Sequence, residues 1–193
     1  MIKVALTGNI ASGKSTVQEI LENKGYKVLD TDKTGHMLLD TMPEIKNAFK
    51  DYDILNQEGS IDREKLGKIV FSSPMLKQKL ESIIHPAIKD KILEFFEQNK
   101  SERAVFIGIP LLFESNMRDI FDKAVLIYTD DFTRKERLIL RNNYTPEYAE
   151  LRMKAQMPQD EKKLLCDDII FNNGTLSELE NSVDECLSRI FMH

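Results

Sequence analysis

Five short apolar runs alternate along the chain with longer segments in which apolar residues recur at helical spacing. The runs, which predict β-strands, are residues 3–6, 26–29, 104–107, 123–128 and 168–171. Continuously apolar strands are typical of a parallel sheet covered by helices on both faces, whereas antiparallel strands usually alternate apolar and polar positions. The pattern therefore predicts an α/β fold built on a parallel sheet of about five strands.

The segment between the second and third predicted strands is too long for one crossover helix, so it predicts an inserted helical region. Its second half carries an apolar stripe at helical spacing from Leu76 to Phe96. Pro86 interrupts this stripe. Because proline lacks an amide proton and crowds the preceding turn, the pair His85-Pro86 predicts either a kinked helix or two separate helices.

The most basic part of the chain follows the fourth predicted strand. Residues 132–142 predict a helix, and a second helical stretch is expected from 146 to about 165. A last helix is predicted at 176–191, with an apolar stripe suited to packing. The basic residues of the first of these helices are Arg134, Lys135, Arg137 and Arg141.

Residues 8–15 match the phosphate-loop pattern G-x-x-x-x-G-K-S, directly after a predicted strand and before a helix expected to reach about Asn23. Backbone amides in such a loop surround phosphate oxygens, and the helix N-terminus adds partial positive charge. Average composition gives a chance match in about one chain in a hundred. The residues expected to bind ATP here are Gly8, Ala11, Ser12, Gly13, Lys14, Ser15 and Thr16.

Within this loop, three residues have distinct expected contacts. Lys14 would reach the β and γ phosphates of ATP, and Thr16 would lie near the α phosphate. The hydroxyl of Ser15 would complete the coordination of a Mg²⁺ ion that keeps several waters. The sequence therefore predicts Mg²⁺ as the cofactor and Ser15 as its protein ligand.

Composition limits the partners. The 193 residues are 41% hydrophobic, and 27 basic against 32 acidic side chains give a net charge of -5, which argues against a general nucleic-acid binder. Cys166, Cys186 and the scattered histidines suggest neither a zinc site nor a disulfide framework. With no secretory signal, membrane span or interface pattern in the sequence, we expect a cytoplasmic protein without a membrane partner, as a monomer or weak homo-oligomer.

Two carboxylates, Asp30 and Asp32, stand at the end of the second predicted strand, at the sheet edge on which the phosphate loop opens. A carboxylate at this edge can accept the proton of an attacking hydroxyl and orient that hydroxyl. The alternative is that Asp32 caps the next helix, since Asp is a favoured N-cap residue. Spacing alone supports both interpretations equally.

The chain resembles the dephospho-CoA kinase family over essentially its whole length. Only its phosphate loop is widely shared among phosphate-loop proteins, so the specificity of the resemblance depends on the other segments and their order. The resemblance implies the P-loop kinase fold and transfer of the γ-phosphate of ATP to the ribose 3'-hydroxyl of dephospho-CoA. The segments that carry it are residues 7–16 (T-G-N-I-A-S-G-K-S-T), Asp30-Thr31-Asp32, His85-Pro86, residues 109–114 (I-P-L-L-F-E), Arg137 with Arg141, Gln156 with Glu161-Lys162, and Asn172-Asn173-Gly174.

The resemblance also implies roles for single residues. It favours Asp32 as the catalytic carboxylate that contacts the acceptor, assisted by Lys14 and Arg141. Arg137 and Arg141, four residues apart, would share one face of a lid helix and close over the nucleotide, with one of them stacking on adenine. The alternative is a solvated basic face.

Three further implied contacts have structural alternatives. Asn173 would bind ATP, because related nucleotide kinases hold adenine after the last strand, although Asn173-Gly174 is also a strong turn former. His85 and Leu111 would line the acceptor side of the site. As alternatives, His85 could serve a helix kink and Leu111 could belong to the core.

The implied organisation is a single P-loop kinase domain. Its core comprises residues 1–31, 104–130 and 166–193, with a helical acceptor-binding insertion at about 32–103 and a lid at about 131–165. The chain departs from the family pattern at His36, where relatives usually have arginine, and we assign His36 no role. It also has Asn9 and Ala11 where glycine is common, at variable positions of the phosphate loop.

Two other functions fit parts of the pattern. A kinase with another small hydroxyl or nucleotide acceptor would share the loop, the lid and the fold. A regulatory GTPase would use the D-x-x-G match at residues 32–35. No N-K-x-D segment for guanine follows, however, because the N-K pairs at residues 23–24 and 99–100 both lack the final Asp.

Overall fold

The computed structural model describes residues 1–192, and its centre is one parallel sheet. The strands pair in the order β2-β3-β1-β4-β5, and every pairing between them is parallel. The predicted α/β class and five-stranded parallel sheet are confirmed. The strands are β1 (Ile2–Thr7), β2 (Lys27–Asp30), β3 (Ala104–Gly108), β4 (Lys123–Tyr128) and β5 (Asp168–Phe171).

Helices connect and flank these strands. Several begin at side chains that cap free backbone amides: Asp62 accepts from the amides of Glu64 and Lys65, and Thr175 forms a reciprocal capping box with Glu178. In the described part of the chain the helices are α1 (Lys14–Asn23), α2 (Thr31–Thr41), α3 (Pro43–Ala48), α4 (Arg63–Ser72), α5 (Pro74–Gln98), α6 (Asp131–Asn142), α7 (Pro146–Lys154), α8 (Gln159–Leu165) and α9 (Leu176–Phe191).

The chain forms two compact units, of which the first contains the sheet. This first unit comprises Met1–Asp30 and the chain from Gln98 onward. In its core, Val4 and Leu6 of β1 pack with residues of α1 and α9. The alternate positions Ala5, Ile107 and Leu126 are also fully buried, so the sheet is covered on both faces.

The second unit is Thr31–Glu97, which contains α2, α3, α4 and nearly all of α5. It has an apolar core of its own, centred on Ile45, Phe49 and Leu66. A short antiparallel bridge joins Leu55 to Ile61. The assignment of a single kinase domain with an acceptor-binding insertion and a lid stays a prediction.

Two helix predictions need correction. Helix α5 runs unbroken through Pro86, so the alternative of two separate helices is wrong. Packing of Leu76, Ile92 and Phe96 along its length offsets the local cost of the proline. The stretch from 146 to about 165 is not continuous, because α7 ends at Lys154 and α8 begins only at Gln159, after Pro158.

No helix within residues 1–192 is both long and apolar enough to cross a membrane.

Candidate active site

The phosphate loop occupies the turn between β1 and α1, at the carboxyl edge of the sheet. Its turn is closed by a hydrogen bond of 3.0 Å from the amide of Ser12 to the carbonyl of Asn9. Ala11 and Gly13 have positive φ angles of 62° and 91°. Because such residues reverse the direction of successive amides, the backbone turns its N–H groups toward one side, which is the arrangement that binds phosphate.

Close packing requires both fixed glycines of the loop. A Cβ atom on Gly8 would lie 2.5 Å from Ser12 Oγ and 2.9 Å from the carbonyl oxygen of Ile127. A Cβ atom on Gly13 would overlap the side-chain amide of Asn172. Both distances are shorter than van der Waals contact, so larger residues at these positions would deform the loop.

Residues that directly follow β4 and β5 form hydrogen bonds with the phosphate loop. Asn172 is buried, and its Nδ2 donates to the carbonyl of Ser12 at 2.8 Å. The hydroxyl of Thr129 lies 3.0 Å from the carbonyl oxygens of both Ser12 and Asn172. Asn173, which we expected to bind ATP, instead accepts a hydrogen bond from the amide of Asp130. Its contact with ATP stays a prediction, whereas Asn172, which the resemblance included in the same segment, contacts the loop in a way that the sequence did not predict.

Lys14 lies beside the end of β2. Its Nζ is 3.9 Å from Asp30 Oδ1 and 3.5 Å from Gln18 Oε1. Gln18 is buried, and it fills the space left by Gly108 of β3, where a Cβ atom would overlap Gln18 Nε2 and lie 3.2 Å from Lys14 Nζ. Ser15, in the same helical turn as Lys14, is exposed.

Helix α6 brings arginines to the loop, but not both of those that we expected. Arg137 is half-buried, with Nη1 3.5 Å from the carbonyl oxygen of Ala11 and Nη2 3.1 Å from that of Asn172. Arg141, one turn later, is exposed, and its Nε donates to Asn142 Oδ1 at 3.0 Å. The structure thus places Arg137 at the loop, while the catalytic role of Arg141 stays a prediction.

Arg134 is a loop contact that the sequence analysis missed. It is 3% exposed, its Nη1 lies 3.4 Å from the carbonyl oxygen of Ile10, and its Nη2 donates to Asp131 at 2.6 Å. Arg134 precedes Arg137 by three residues, a spacing that puts both on one face of α6. That spacing was the available signal.

The segment between α7 and α8, residues 155–158, also contacts the loop. Gln156 Oε1 accepts a hydrogen bond of 2.7 Å from the amide of Ile10, and the carbonyl of Met157 accepts one of 2.9 Å from Asn9 Nδ2. The break between the two helices therefore places polar groups against the phosphate loop.

A buried ion pair lies next to this segment. Lys162 of α8 is fully buried, and its Nζ is 3.0 Å from Glu114 Oε1 and 2.9 Å from the carbonyl oxygen of Pro110. The hydroxyl of Thr7 donates to the same carbonyl at 3.2 Å. Residues 109–114 and 161–162, which are separate segments of the family resemblance, are thus joined at the carboxyl edge of the sheet.

The residues expected on the acceptor side are Asp32, His85 and Leu111. Asp32 is exposed and is the second residue of α2, so the interpretation that it is the N-cap is wrong. A carboxylate in the first turn of a helix still benefits from the helix dipole. His85 is half-buried within α5, and Leu111 is half-buried in the turn after β3. Their contacts with an acceptor stay predictions.

The residues at the loop fit a Mg²⁺ ion that arrives with a nucleotide. Such an ion takes much of its coordination from phosphates and water, and only one or two protein ligands. The exposed Ser15 hydroxyl can supply one of these ligands. The carboxylate of Asp30, near Lys14, is a second oxygen group at the same edge of the sheet. No group of three or more His, Cys, Asp or Glu side chains within residues 1–192 is placed to hold a metal by itself.

One shifted pKa concerns the start of α6. Asp130 is the N-cap, and its carboxylate accepts from the amide and the hydroxyl of Thr133, both at 2.8 Å. The hydrogen bond from the Thr133 amide, followed by that from its hydroxyl, lowers the pKa of Asp130 below the ordinary 3.8. Asp130 is therefore ionised at neutral pH and stabilises the helix that carries the arginines.

A phosphate loop on the central strand of a five-stranded parallel sheet, faced by an arginine-bearing helix, defines a phosphate-loop kinase. The model of the dephospho-CoA kinase family matches residues 2–178. The chain belongs to the dephospho-CoA kinase family.

Individual relatives agree with this membership. Over 192 residues, the chain is 38% identical to a dephospho-CoA kinase of Lactobacillus acidophilus, covering 97% of this chain and 96% of the relative. The structure of a dephospho-CoA kinase from Campylobacter jejuni matches with a TM-score of 0.75 at 33% identity, covering 97% of this chain and 96% of that one. A shikimate kinase from Acinetobacter baumannii shares the fold, with a TM-score of 0.58 at 15% identity, covering 100% and 94% of the two chains.

Proposed function

We propose that the protein transfers the γ-phosphate of ATP to the ribose 3'-hydroxyl of dephospho-CoA, giving coenzyme A and ADP in the last step of coenzyme A synthesis. The observation that carries this proposal is an intact phosphate loop in a chain that matches the dephospho-CoA kinase family over residues 2–178. The fold by itself would not choose the acceptor, because shikimate kinase has the same fold.

In this proposal the loop and its neighbours hold the triphosphate of ATP. Amides of the loop and the N-terminus of α1 bind the phosphate oxygens, and Lys14 contacts the β and γ phosphates. Mg²⁺, bound through the Ser15 hydroxyl and phosphates, would neutralise charge that develops during transfer. Lys14 Nζ lies 3.9 Å from Asp30 at the carboxyl edge of the sheet, so the carboxylate of Asp30 partly offsets the positive charge of Lys14.

Asp32 is the proposed catalytic base. It would accept the proton of the 3'-hydroxyl while orienting the oxygen toward the γ-phosphorus. Two features support this role: its carboxylate is exposed, and it follows by two residues the Asp30 that pairs with Lys14. Asp32 is thus close along the chain to the residues that hold phosphate.

The remaining roles complete the site. Arg137 and Arg141 would contact the nucleotide, with Arg141 stabilising charge on the transferring group. Asn173 would lie against adenine, and His85 and Leu111 would line the acceptor side. These roles are supported by the family membership and by the solvent exposure of Arg141 and Asn173.

We further propose that the protein acts in the cytoplasm as a monomer or weak homo-oligomer, with small-molecule substrates and no nucleic-acid or membrane partner. Its two cysteines, Cys166 and Cys186, are unpaired in the structure, which suits a reducing compartment. Burial raises the pKa of Cys166 to about 12, so its thiol stays protonated at neutral pH. The net charge of -5 supports the exclusion of nucleic acid.

The proposal is tested by offering the purified protein ATP and Mg²⁺ with a panel of acceptors. The panel contains dephospho-CoA, shikimate, adenosine and nucleoside monophosphates, and the position of the new phosphate is read by phosphorus NMR. We expect turnover with dephospho-CoA alone, at its 3'-hydroxyl. Turnover of another acceptor with none for dephospho-CoA would sink the proposal.

The same preparation tests the GTPase alternative. We expect tighter binding of ATP than of GTP and little hydrolysis without an acceptor. Equal or tighter binding of GTP, with slow hydrolysis and no acceptor used, would instead favour a nucleotide switch.

A further inference from the structure

Asn9 and Ile10 of the phosphate loop form hydrogen bonds with residues 155–158, the link between α7 and α8. The amide of Ile10 donates to Gln156 Oε1 at 2.7 Å, and Asn9 Nδ2 donates to the carbonyl of Met157 at 2.9 Å. Asn9 is 3% exposed. The side chain of Gln156 thus reaches the backbone of the loop itself rather than a neighbouring side chain.

The link is held in place from its other side. The amide of Met157 lies 3.4 Å from Glu114 Oε1, and that oxygen is 3.0 Å from Nζ of the fully buried Lys162. The ammonium of Lys162 also donates to the carbonyl of Pro110, directly after β3. The position of Gln156 is therefore fixed by groups in the turn after β3 and in α8, and not only by its contact with the loop.

The peptide groups of Ile10 are held on both sides. Gln156 binds its amide, while Arg134 Nη1 lies 3.4 Å from its carbonyl oxygen. The next residue, Ala11, has a φ of 62°, a conformation that non-glycine residues adopt only when their surroundings impose it. The orientation of the Ile10 peptides sets the direction in which the amides from Ala11 onward point.

We propose that Gln156 is a positioning residue of this kinase: its side-chain oxygen fixes the Ile10 amide and so keeps the phosphate loop in the conformation that binds nucleotide. The inference rests on the proposed function only in assigning a nucleoside triphosphate to the loop. A partly buried N–H group that loses its acceptor costs free energy, and the loop can regain a partner by turning its peptides. A change at Gln156 is therefore expected to reach the phosphate-binding amides.

The test compares Gln156→Leu and Gln156→Asn, which remove the acceptor or withdraw it from reach, with Gln156→Glu, which keeps an acceptor oxygen. Gln78→Leu, on an exposed face of α5, is the matched control. We expect the Leu and Asn variants to weaken ADP binding, measured by calorimetry, about tenfold. Their KM for ATP should rise more than their KM for dephospho-CoA, and the control should match the wild-type protein.

Hydrogen exchange of the Ile10 amide provides a direct second readout. This amide should exchange slowly in the wild-type and Gln156→Glu proteins, and faster in the Leu and Asn variants. Unchanged ADP affinity in the Leu and Asn variants, even with a lower melting temperature, would reduce Gln156 to a structural tie and overturn the inference. Fast exchange in the Glu variant would do the same. Failure of the wild-type protein to bind ADP would refute the proposed function instead.

Discussion

At the scale of single residues, the site is marked by polar groups with unused hydrogen-bonding capacity. Buried polar groups usually have partners, so atoms that bond to no other protein group require an explanation, of which a bound ligand or water is one. In this structure such atoms belong to the loop, or to side chains that contact the loop or flank α6. Within residues 1–192 they are Asn9 Oδ1, Ser12 Oγ, Gln18 Nε2, Arg134 Nε and Gln159 Oε1.

Replacing Lys14 tests the phosphate contact. We expect Lys14→Ala to lower kcat by at least about a hundredfold, because removing one charged donor from a transferring group has effects of this size. Steady-state kinetics with dephospho-CoA measure the change. Lys68→Ala, which removes an exposed lysine paired with Glu64, is the control and should leave kcat unchanged. Wild-type turnover in Lys14→Ala would exclude this lysine from the reaction.

Replacing Asp32 separates chemistry from binding. We expect Asp32→Asn to lower kcat by about 10²–10⁴-fold, since the amide cannot accept the hydroxyl proton. Affinity for ATP, measured by calorimetry, should change little. Asp51→Asn, at another exposed carboxylate of the second unit, is the control. If Asp32→Asn kept near-normal turnover, another group would have to be the base.

The residue-level contacts were predictable only where a local motif exists. The motif gave Gly8, Gly13 and Lys14, because the order of residues within eight positions determines how such a loop folds. It could not give the loop contacts of Gln156 and Asn172, which the family resemblance included without a contact of their own and which reach the loop from far along the chain. Those contacts arise from the pairing of strands and the ends of distant helices, which spacing along the sequence does not encode.

At the scale of elements, α6 presents a gradient of burial. Arg134 is buried, Arg137 is half-buried and Arg141 is exposed, although all three lie at spacings of three and four. The helix thus approaches the phosphate loop at its N-terminal half and leaves it toward Asn142. Its first two arginines contact the loop, and its last arginine is exposed to solvent.

Arg141 is the test of the exposed end of α6. We expect Arg141→Ala to slow phosphoryl transfer by about 10²-fold while the melting temperature stays within a degree or so, as is usual for exposed positions. Lys154→Ala, at an exposed lysine of α7, serves as the comparison. Unchanged kinetics in Arg141→Ala would make this arginine part of a solvated basic face.

The N-cap of α6 predicts a pH effect on stability. The pKa of Asp130 is lowered by the amide and hydroxyl of Thr133, so its capping contribution is complete above pH 3.8, the ordinary value, and is lost as pH falls through the lowered pKa. Asp130→Asn keeps a capping oxygen but does not titrate. Thermal melts between pH 7 and pH 3 should show the wild-type protein losing stability relative to Asp130→Asn only at the acid end. A constant difference at every pH would contradict this.

Helices and strands were predicted correctly where the apolar residues follow a single spacing without interruption. Helix α9 was predicted at the bounds that the structure shows, because its apolar stripe is uninterrupted. The effect of the two prolines was harder to predict from local chemistry. Helix α5 continues through Pro86, whereas α7 ends at Lys154, before Pro158, and Met157 in the break contacts the loop. The balance between the local cost of a proline and the gain from packing depends on contacts that the sequence does not display.

At the scale of the whole molecule, the phosphate loop belongs to the most central strand. β1 pairs with β3 on one side and β4 on the other, and its residues from Val4 to Thr7 are buried. The loop therefore extends from a buried strand at the centre of the sheet. The sequence predicted the strands and their parallel class, but the order β2-β3-β1-β4-β5 became visible only in the structure.

Binding at such a loop should be coupled to global stability. Because a ligand that binds only the folded state stabilises that state by mass action, ADP at a hundredfold excess over its Kd should raise the free energy of unfolding by about 2.7 kcal/mol. Urea denaturation with and without ADP and Mg²⁺ measures the shift. At the same ADP concentration, Lys14→Ala should show a smaller increase in the free energy of unfolding. An equal increase would mean that ADP binds away from Lys14.

Gly108 has a consequence for how this family can vary. It is a buried strand residue, and the volume that its missing side chain leaves is occupied by Gln18, beside Lys14. A relative that acquired a side chain at position 108 would have to shrink residue 18 at the same time, or move its lysine. The two positions, far apart in the chain, are therefore expected to change together in evolution, and an alignment of many relatives would show this as covariation.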